Sequence, residues 1–114
     1  MSGISTHILD LSRGVAAAGV AVRLERGDAA GGWTAVAERH TDGDGRVKNM
    51  IPPGGTLQAG AYRLRFETGA YWALLGVSGF HPVVEVTFSV VEADRHHHVP
   101  LLVSPFGYST YRGT

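Results

Sequence analysis

The sequence predicts an all-β fold, a two-sheet antiparallel sandwich of seven to eight strands with one short helix near residues 68–76. Short runs of alternating apolar and polar residues are separated by segments rich in Gly, Pro and Asp, a pattern typical of sandwiches and barrels. Seven or eight such strands are enough for two packed sheets. The length of 114 residues, 44% of them hydrophobic and 18% charged, predicts a single folded domain spanning residues 1–114.

The first half of the chain is predicted to contain four strands. The clearest begins at Val20, where apolar residues occupy every second position and Arg23 and Glu25 face the other way. In chain order, we predict a strand at 5–11, a small-residue turn at 13–19, a strand from 20, a glycine-rich connection at 27–32, a return strand at 33–41, a turn at 42–45 and a short edge strand at 47–51 stopped by two prolines.

The second half is predicted to contain the helix and the remaining strands. Tyr71, Leu74 and Leu75 have helical spacing, with Thr68 as a possible N-cap and Gly76 as a possible C-cap. In chain order, we predict a loop at 52–60, a strand at 62–66, the helix, a strand at 84–90, a strand at 96–104 and a last strand at 107–113.

Composition excludes several classes of function. Lys and Arg together number 10, as do Asp and Glu, so the formal net charge is zero and no basic patch indicates nucleic acid or an anionic membrane surface. No apolar stretch approaches membrane-spanning length. The absence of cysteine removes disulfides, thiolate metal sites and a cysteine nucleophile. The first residues lack a basic region followed by an apolar run, so we expect a cytoplasmic protein.

Three of the six histidines are consecutive, and strand alternation separates them. His96 and His98 share one face, whereas His97 shares the face of the apolar residues that follow, so we expect His98 to point away from the core. His7 lies opposite Ile8 and is expected to point outward in the same way. Two such imidazoles can hold and move protons in a hydrolysis, although surface histidines are also common.

A metal site has weaker support. His96, His98 and His7 could offer three ligands, but no acidic residue has motif spacing with them, so we predict no metal. The segment 42–46 resembles the start of a calcium loop but has Arg46 at the third ligand position, which favours a plain turn. A guanidinium on a tight turn can bind a carbonyl or anionic oxygen bidentately, and a solvated loop arginine is the alternative.

The final residues, 104–114, are aromatic and rich in hydroxyl groups, unlike a solvated tail. They include Tyr111, Arg112, Gly113 and Thr114. One hypothesis is that this terminus lines a site. The alternative is a last strand that only closes a sheet, which is common for chain ends.

Together these segments resemble the 5-hydroxyisourate hydrolases, the purine-catabolic branch of the transthyretin superfamily. The resemblance runs along the whole chain, and the terminal tetrapeptide is its most specific mark. The matching segments are Ser5-Thr-His7-Ile-Leu-Asp10, Thr41-Asp-Gly-Asp-Gly-Arg46, Tyr62-Arg-Leu-Arg-Phe66, Gly79-Phe-His-Pro82, His98-Val-Pro-Leu-Leu102 and Tyr108-Ser-Thr-Tyr-Arg-Gly-Thr114.

The resemblance implies a transthyretin-like sandwich assembled as a homotetramer, a dimer of dimers with sites at the dimer–dimer interface. It implies hydrolysis of 5-hydroxyisourate, a product of urate oxidation, to 2-oxo-4-hydroxy-4-carboxy-5-ureidoimidazoline without metal or organic cofactor. Water activated by the histidine pair would attack the C6 carbonyl. The family's catalytic positions fall on His7, Arg46, His98 and Thr114, and its substrate-binding positions on His7, Arg46, Tyr111, Arg112, Gly113 and Thr114.

One departure and two other functions remain open. The family usually ends in Ser, so Thr114 keeps the hydroxyl and adds a methyl group, which would lower the activity if the pocket is tight there. A transthyretin-like carrier of a small hydrophobic ligand, without hydrolase activity, is one alternative. A structural sandwich domain within a larger complex is the other, although no linker composition points to it.

Overall fold

The computed structural model describes residues 2–114; Met1, the first residue of the predicted domain, lies outside the described residues. Within that range the chain forms nine strands and one helix. The elements are β1 Gly3–Asp10, β2 Val15–Ala16, β3 Ala21–Gly27, β4 Trp33–His40, β5 Arg46–Val47, β6 Gly60–Phe66, α1 Thr68–Leu74, β7 Val84–Val90, β8 His96–Ser104 and β9 Gly107–Thr110.

The strands form two sheets, which confirms the predicted sandwich. The five-stranded sheet has the order β2-β1-β8-β9, with β5 also pairing with β1, and the four-stranded sheet has the order β4-β3-β6-β7. Seven strands have four or more residues, and the two extra ones, β2 and β5, have two each. One pair departs from the antiparallel prediction: β1 and β8 run parallel. Parallel neighbours need a long connection, and here the other sheet lies between the two strands in the sequence.

Apolar side chains from both sheets meet in one core. Val22 and Leu24 are fully buried, as the alternation of β3 predicts, and Ile8 is fully buried on β1. Burial of each such side chain stabilises the fold by about 1.5–3 kcal/mol. His97 also lies on the core side, where it is 7% exposed and its Nδ1 is 3.0 Å from the carbonyl oxygen of Arg95. The predicted inward direction of His97 is therefore confirmed.

The short edge strand lies earlier than predicted. It covers Arg46–Val47 rather than residues 47–51. The backbone then leaves the ladder because the side-chain Oδ1 of Asn49 accepts hydrogen bonds from the backbone N–H groups of Ile4 and Ile51, at 3.2 and 3.0 Å. Beyond Val47 the side-chain amide of Asn49 therefore acts beside one remaining backbone hydrogen bond, from the N–H of Met50 to the carbonyl of Ile4 at 2.7 Å. The predicted turn at 13–19 likewise contains the two-residue strand β2, which pairs with the end of β1.

The helix is confirmed, but its N-terminal cap is not the predicted one. Glu67 occupies the N-cap position without a side-chain hydrogen bond, and Thr68 is the first helical residue. Gly76 follows the C-cap residue Leu75 with φ of 69°, and its N–H donates to the carbonyl of Ala73 at 3.1 Å. This left-handed position is where glycine ends a helix with least strain. Among residues 2–114 no helix is long and apolar enough to cross a membrane.

The buried face of the helix also differs from the predicted one. Leu74 is 87% exposed, whereas Tyr71 and Trp72 are buried. The Tyr71 hydroxyl donates to Oδ2 of Asp10 at 2.8 Å and so ties the helix to the end of β1. Burial alone would raise the pKa of Asp10, but hydrogen bonds from Ser12, Tyr71 and the following backbone hold that pKa below its usual value.

We expect Tyr71→Phe to destabilise the fold by about 1–3 kcal/mol, because it leaves a buried carboxylate with one donor fewer. Urea denaturation at neutral pH measures this change. The pKa of Asp10 lies below its ordinary value of 3.8, so the benefit of the ionised form is complete above that pH and is lost as the pH falls through the folded-state pKa. The difference between variant and wild type should therefore shrink in acid.

Tyr108→Phe is the matched control, because Tyr108 is exposed and lies on β9. It should leave the free energy of unfolding within about 0.5 kcal/mol of wild type. Equal stability of the two variants would contradict the role assigned to the Tyr71 hydroxyl.

Candidate active site

One outward face of the five-stranded sheet collects most of the predicted site residues. His7 on β1 is paired with Arg46 on β5, and Ser5 on β1 is paired with His98 on β8. Directly paired residues share a face, and so do residues two apart on one strand. Ser5, His7, Arg46 and His98 therefore project from the same side, opposite the buried Ile8.

His98 is half-buried and held at two points. Its Nδ1 lies 2.7 Å from Oγ of Ser5, and the same Oγ lies 2.7 Å from Nε2 of His96. Its backbone carbonyl accepts a hydrogen bond from the N–H of Gly113 at 2.8 Å. The imidazole of His98 is therefore held to β1 through its Nδ1, and the backbone of His98 is held to the terminal segment.

The end of the chain packs closely against the imidazole. The predicted strand at 107–113 stops at Thr110, after which Gly113 forms an isolated antiparallel bridge with His98. A Cβ atom at Gly113 would lie 2.5 Å from Cδ2 of His98, which is closer than real contacts allow. Only glycine permits this approach without displacing the ring or the terminal segment.

The predicted turn before Arg46 is present and explains where Arg46 lies. Oδ1 of Asp42 accepts hydrogen bonds from the backbone N–H groups of Asp44 and Arg46, at 2.9 and 3.0 Å, and these bonds lower the pKa of Asp42. Gly45 has φ of 73°, and its carbonyl accepts from the N–H of Ile8 at 2.8 Å. A Cβ atom there would lie 2.5 Å from the carbonyl oxygen of Ile8. Glycine thus lets the turn press against β1.

These elements enclose a polar groove of about 610 Å³. Arg46, His98, Gly113 and Thr114 line it, and Thr114 is exposed. The lining contains no acidic side chain among the described residues, although Arg95 pairs with Glu92 nearby at 2.8 Å. Its cationic side chains are those of Arg46, Lys48, Arg95 and Arg112.

The protonation of His98 follows from its surroundings. Burial lowers the pKa of His98 below its ordinary value of 6.5, and the positive charge of Arg46 and the neighbouring His7 lower it further. Burial and His97 lower the pKa of His96 in the same direction. His98 is therefore neutral near pH 7 and can accept a proton beside a groove that suits an anionic or oxygen-rich ligand.

Two predicted site residues lie apart from the polar groove. His7 is next to Arg46 on the sheet but does not line the groove. Tyr111 lines a second, apolar groove of about 260 Å³, which includes Phe88 on β7 and Val99 on β8. His98 and Arg112 line both grooves.

Sequence reasoning did not assign Ser5 to the site. Ser5 is 8% exposed and contacts both His96 and His98, but within the segment that begins at Ser5 only His7 was given a role. Its position two residues before His7, on the same strand face, was the available signal. In residues 2–114 no group of three or more His, Cys, Asp or Glu side chains is arranged to hold a metal ion.

Comparisons with known proteins agree with this architecture. A family model described as the HIUase/Transthyretin family matches residues 4–113. The 5-hydroxyisourate hydrolase of Caulobacter vibrioides is 48% identical over 119 residues, which cover 100% of each chain.

Two solved structures are similar along almost the whole chain. Klebsiella pneumoniae 5-hydroxyisourate hydrolase is 37% identical with a TM-score of 0.86, covering 99% of this chain and 100% of that one. Sea bream transthyretin, solved in complex with thyroxine, is 38% identical with a TM-score of 0.89, covering 98% and 95%. The resemblance seen in the motifs is confirmed, and the chain belongs to the HIUase/Transthyretin family.

Proposed function

We propose that this chain, as a single domain spanning residues 1–114, hydrolyses 5-hydroxyisourate to 2-oxo-4-hydroxy-4-carboxy-5-ureidoimidazoline in cytoplasmic urate degradation. Relatives with 5-hydroxyisourate hydrolase in their names support this class of activity. The observation that carries the proposal is the position of His98, whose pKa is lowered and which lines a groove bounded by Arg46, Arg112 and Thr114.

In the proposed reaction, His98 acts with His7 as the general base. A water molecule loses a proton to the imidazole and attacks the C6 carbonyl, after which the N1–C6 bond of the ring opens. Negative charge develops on the carbonyl oxygen as the water attacks. Arg46, held by its turn and without an ion pair among the described residues, is placed to stabilise that charge.

The terminal residues are proposed to position substrate. The hydroxyl of Thr114, the guanidinium of Arg112 and the backbone of Gly113 border the polar groove and can hydrogen-bond an oxygen-rich ring. Tyr111 borders the neighbouring apolar groove in the single chain. Its proposed substrate contact therefore depends on how a second chain closes the groove.

We propose that closure comes from assembly as a homotetramer, a dimer of dimers with the site at the dimer–dimer interface. The polar groove opens on an outward sheet face, where His96, Arg46 and Thr114 are all exposed. A facing chain would exclude water there and strengthen the hydrogen bonds and charges of the site.

A carrier of a hydrophobic ligand is the second candidate. The similarity to sea bream transthyretin and the apolar groove beside Tyr111 favour it. The cationic polar groove beside two imidazoles does not, because a carrier of an apolar ligand gains nothing from burying these charges. Binding of thyroxine without any hydrolase activity would favour the carrier.

We expect purified protein to accelerate the loss of ultraviolet absorbance of freshly generated 5-hydroxyisourate. His98→Ala should lower kcat by about 10²–10⁴-fold, the usual contribution of general base catalysis. His40→Ala is the matched control, because His40 is exposed on β4 of the other sheet. A wild-type rate no faster than the spontaneous reaction would overturn the function, and an unaffected His98→Ala would overturn the base assignment.

The acid limb of kcat/KM should have its midpoint below pH 6.5, because burial and Arg46 lower the pKa of His98. The neutral, active form then persists below that pH and is lost as the pH falls through the lowered pKa. Arg46→Gln should move this midpoint to higher pH by removing a positive charge, whatever its effect on the rate. Arg46→Lys keeps the positive charge and should leave the midpoint unchanged. A wild-type midpoint above pH 6.5 would contradict the assignment.

We expect Gly113→Ala to lower kcat/KM by about 10- to 100-fold, because the added Cβ must displace the His98 ring. Gly107→Ala is the matched control: it lies on β9, where the nearest atom to an added Cβ is Oγ of Ser104 at 3.9 Å. Both variants are assayed beside wild type after circular dichroism confirms folding. Equal rates for the two would show that the close approach has no catalytic consequence.

A further inference from the structure

We propose that Ser5 is a positioning residue that joins His98 to His96 in a hydrogen-bonded chain. These hydrogen bonds set the tautomer of His98. They also carry the proton that His98 receives outward to His96. This inference rests on the proposed hydrolase function, in which His98 takes a proton from water. It adds Ser5 and His96 to the predicted site.

The geometry limits how this chain can be arranged. Oγ of Ser5 lies 2.7 Å from both Nδ1 of His98 and Nε2 of His96, and Ser5 is 8% exposed. A hydroxyl has a single hydrogen to donate, so it can donate to one of these nitrogens only. At least one of the two rings must therefore present an N–H group to Ser5.

The arrangement that we assign has the N–H at Nδ1 of His98. This N–H donates to Oγ of Ser5, and the Ser5 hydroxyl donates to Nε2 of His96. A neutral imidazole carries one proton, so Nε2 of His98 then has a free lone pair. The hydrogen bonds within the described residues leave that nitrogen without a protein partner. The reverse arrangement would place the proton on Nε2 of His98 and prevent it from acting as the base there.

The charges around His98 favour the assigned arrangement. A lone pair directed toward cations is stabilised, whereas an N–H dipole directed toward them is not. The lowered pKa of His98 is consistent with positive surroundings. The titratable and charged groups that line the two grooves with His98 or lower its pKa are His7 on β1, Arg46 on β5, Lys48 after β5, Glu92 after β7, Arg95 before β8, His96 and His97 on β8, and Tyr111 and Arg112 in the terminal segment. Glu92 is the one acidic side chain among these residues and is paired with Arg95 at 2.8 Å, so the cations still outnumber it.

Proton transfer along this chain balances at every atom. When water gives a proton to Nε2 of His98, Nδ1 of His98 passes its proton to Oγ of Ser5, and Ser5 passes its own to Nε2 of His96. His98 is then neutral again, Ser5 is unchanged, and the positive charge lies on the exposed His96. When the leaving nitrogen of the substrate takes a proton from Nε2 of His98, each transfer runs backward.

The tautomer can be tested without any variant or substrate. Nitrogen-15 NMR of histidine-labelled wild-type protein at about pH 8 distinguishes Nδ1–H from Nε2–H in neutral imidazoles. We expect His98 to be protonated at Nδ1. Protonation at Nε2 would overturn the proposal. Because no substrate is present, this result does not depend on whether the protein hydrolyses 5-hydroxyisourate.

The positioning role of Ser5 can be tested kinetically. Ser5→Ala should lower kcat by about 10- to 100-fold, as expected for loss of one hydrogen bond to a charged group, with KM changed less than about twofold. Its acid limb should move to lower pH, because the imidazolium of His98 loses an acceptor. Ser5→Thr keeps the hydroxyl and should restore both properties. The control is Ser78→Ala, in an exposed loop after the helix. A Ser5→Ala enzyme with wild-type kcat and pH profile would overturn the proposal.

The proton path needs one more variant. His96→Gln keeps an acceptor for the Ser5 hydroxyl but cannot hold a proton, so it should retain the Nδ1–H tautomer of His98 and lose about tenfold in kcat. An unchanged kcat would overturn the path to His96. If wild-type protein lacks hydrolase activity while His98 is protonated at Nδ1, the proposed hydrolase function is overturned. The hydrogen-bonded arrangement of His98, Ser5 and His96 is then still supported.

Discussion

The pairing of β1 with both of its neighbours is the constraint on which the candidate site depends. β1 is parallel to β8 on one side and antiparallel to β5 on the other. This register puts Ser5 beside His98 and His7 beside Arg46, although these residues are far apart in the sequence. Because side chains alternate along a strand, a slip of one residue would turn the histidines into the core. The buried Ile4 and Ile8 oppose such a slip, so the hydrophobic core also sets the geometry of the polar face.

Two glycines let further segments reach that face. Gly45 lets the turn before Arg46 touch the backbone of β1, and Gly113 lets the terminal segment touch the ring of His98. At Gly45 a side chain would meet the backbone of β1, which cannot easily move aside, and at Gly113 it would meet the imidazole of His98, which would have to shift. The site thus consists of one sheet face and two segments, the turn before Arg46 and the chain end, that pack closely against it. This is how a loop and a chain end can hold groups as reproducibly as a strand does.

Local patterns were enough to predict much of this arrangement. Alternation placed His97 inward and His98 outward, and the Asp-Gly composition placed a turn before Arg46. The predictions that failed concerned contacts between segments that are distant in the sequence. Ser5 becomes part of the site only through its register with β8, and Asn49 ends β5 by bonding the backbone of β1. Helical spacing alone likewise could not show that Trp72, rather than Leu74, meets the rest of the protein.

The distribution of charge has a consequence for how a ligand arrives. The protein is neutral overall, yet four of its ten Lys and Arg side chains border the polar groove, whose lining has no acidic side chain among the described residues. Of these four, Arg95 is paired with Glu92, whereas Arg46, Lys48 and Arg112 have no ion pair among the described residues. On the outer face of the other sheet both Arg63 and Arg65 are paired with glutamates. The field is therefore concentrated at the groove. An anion approaching within about 10 Å is drawn toward His98, and dissolved salt weakens this steering without altering any contact in the site.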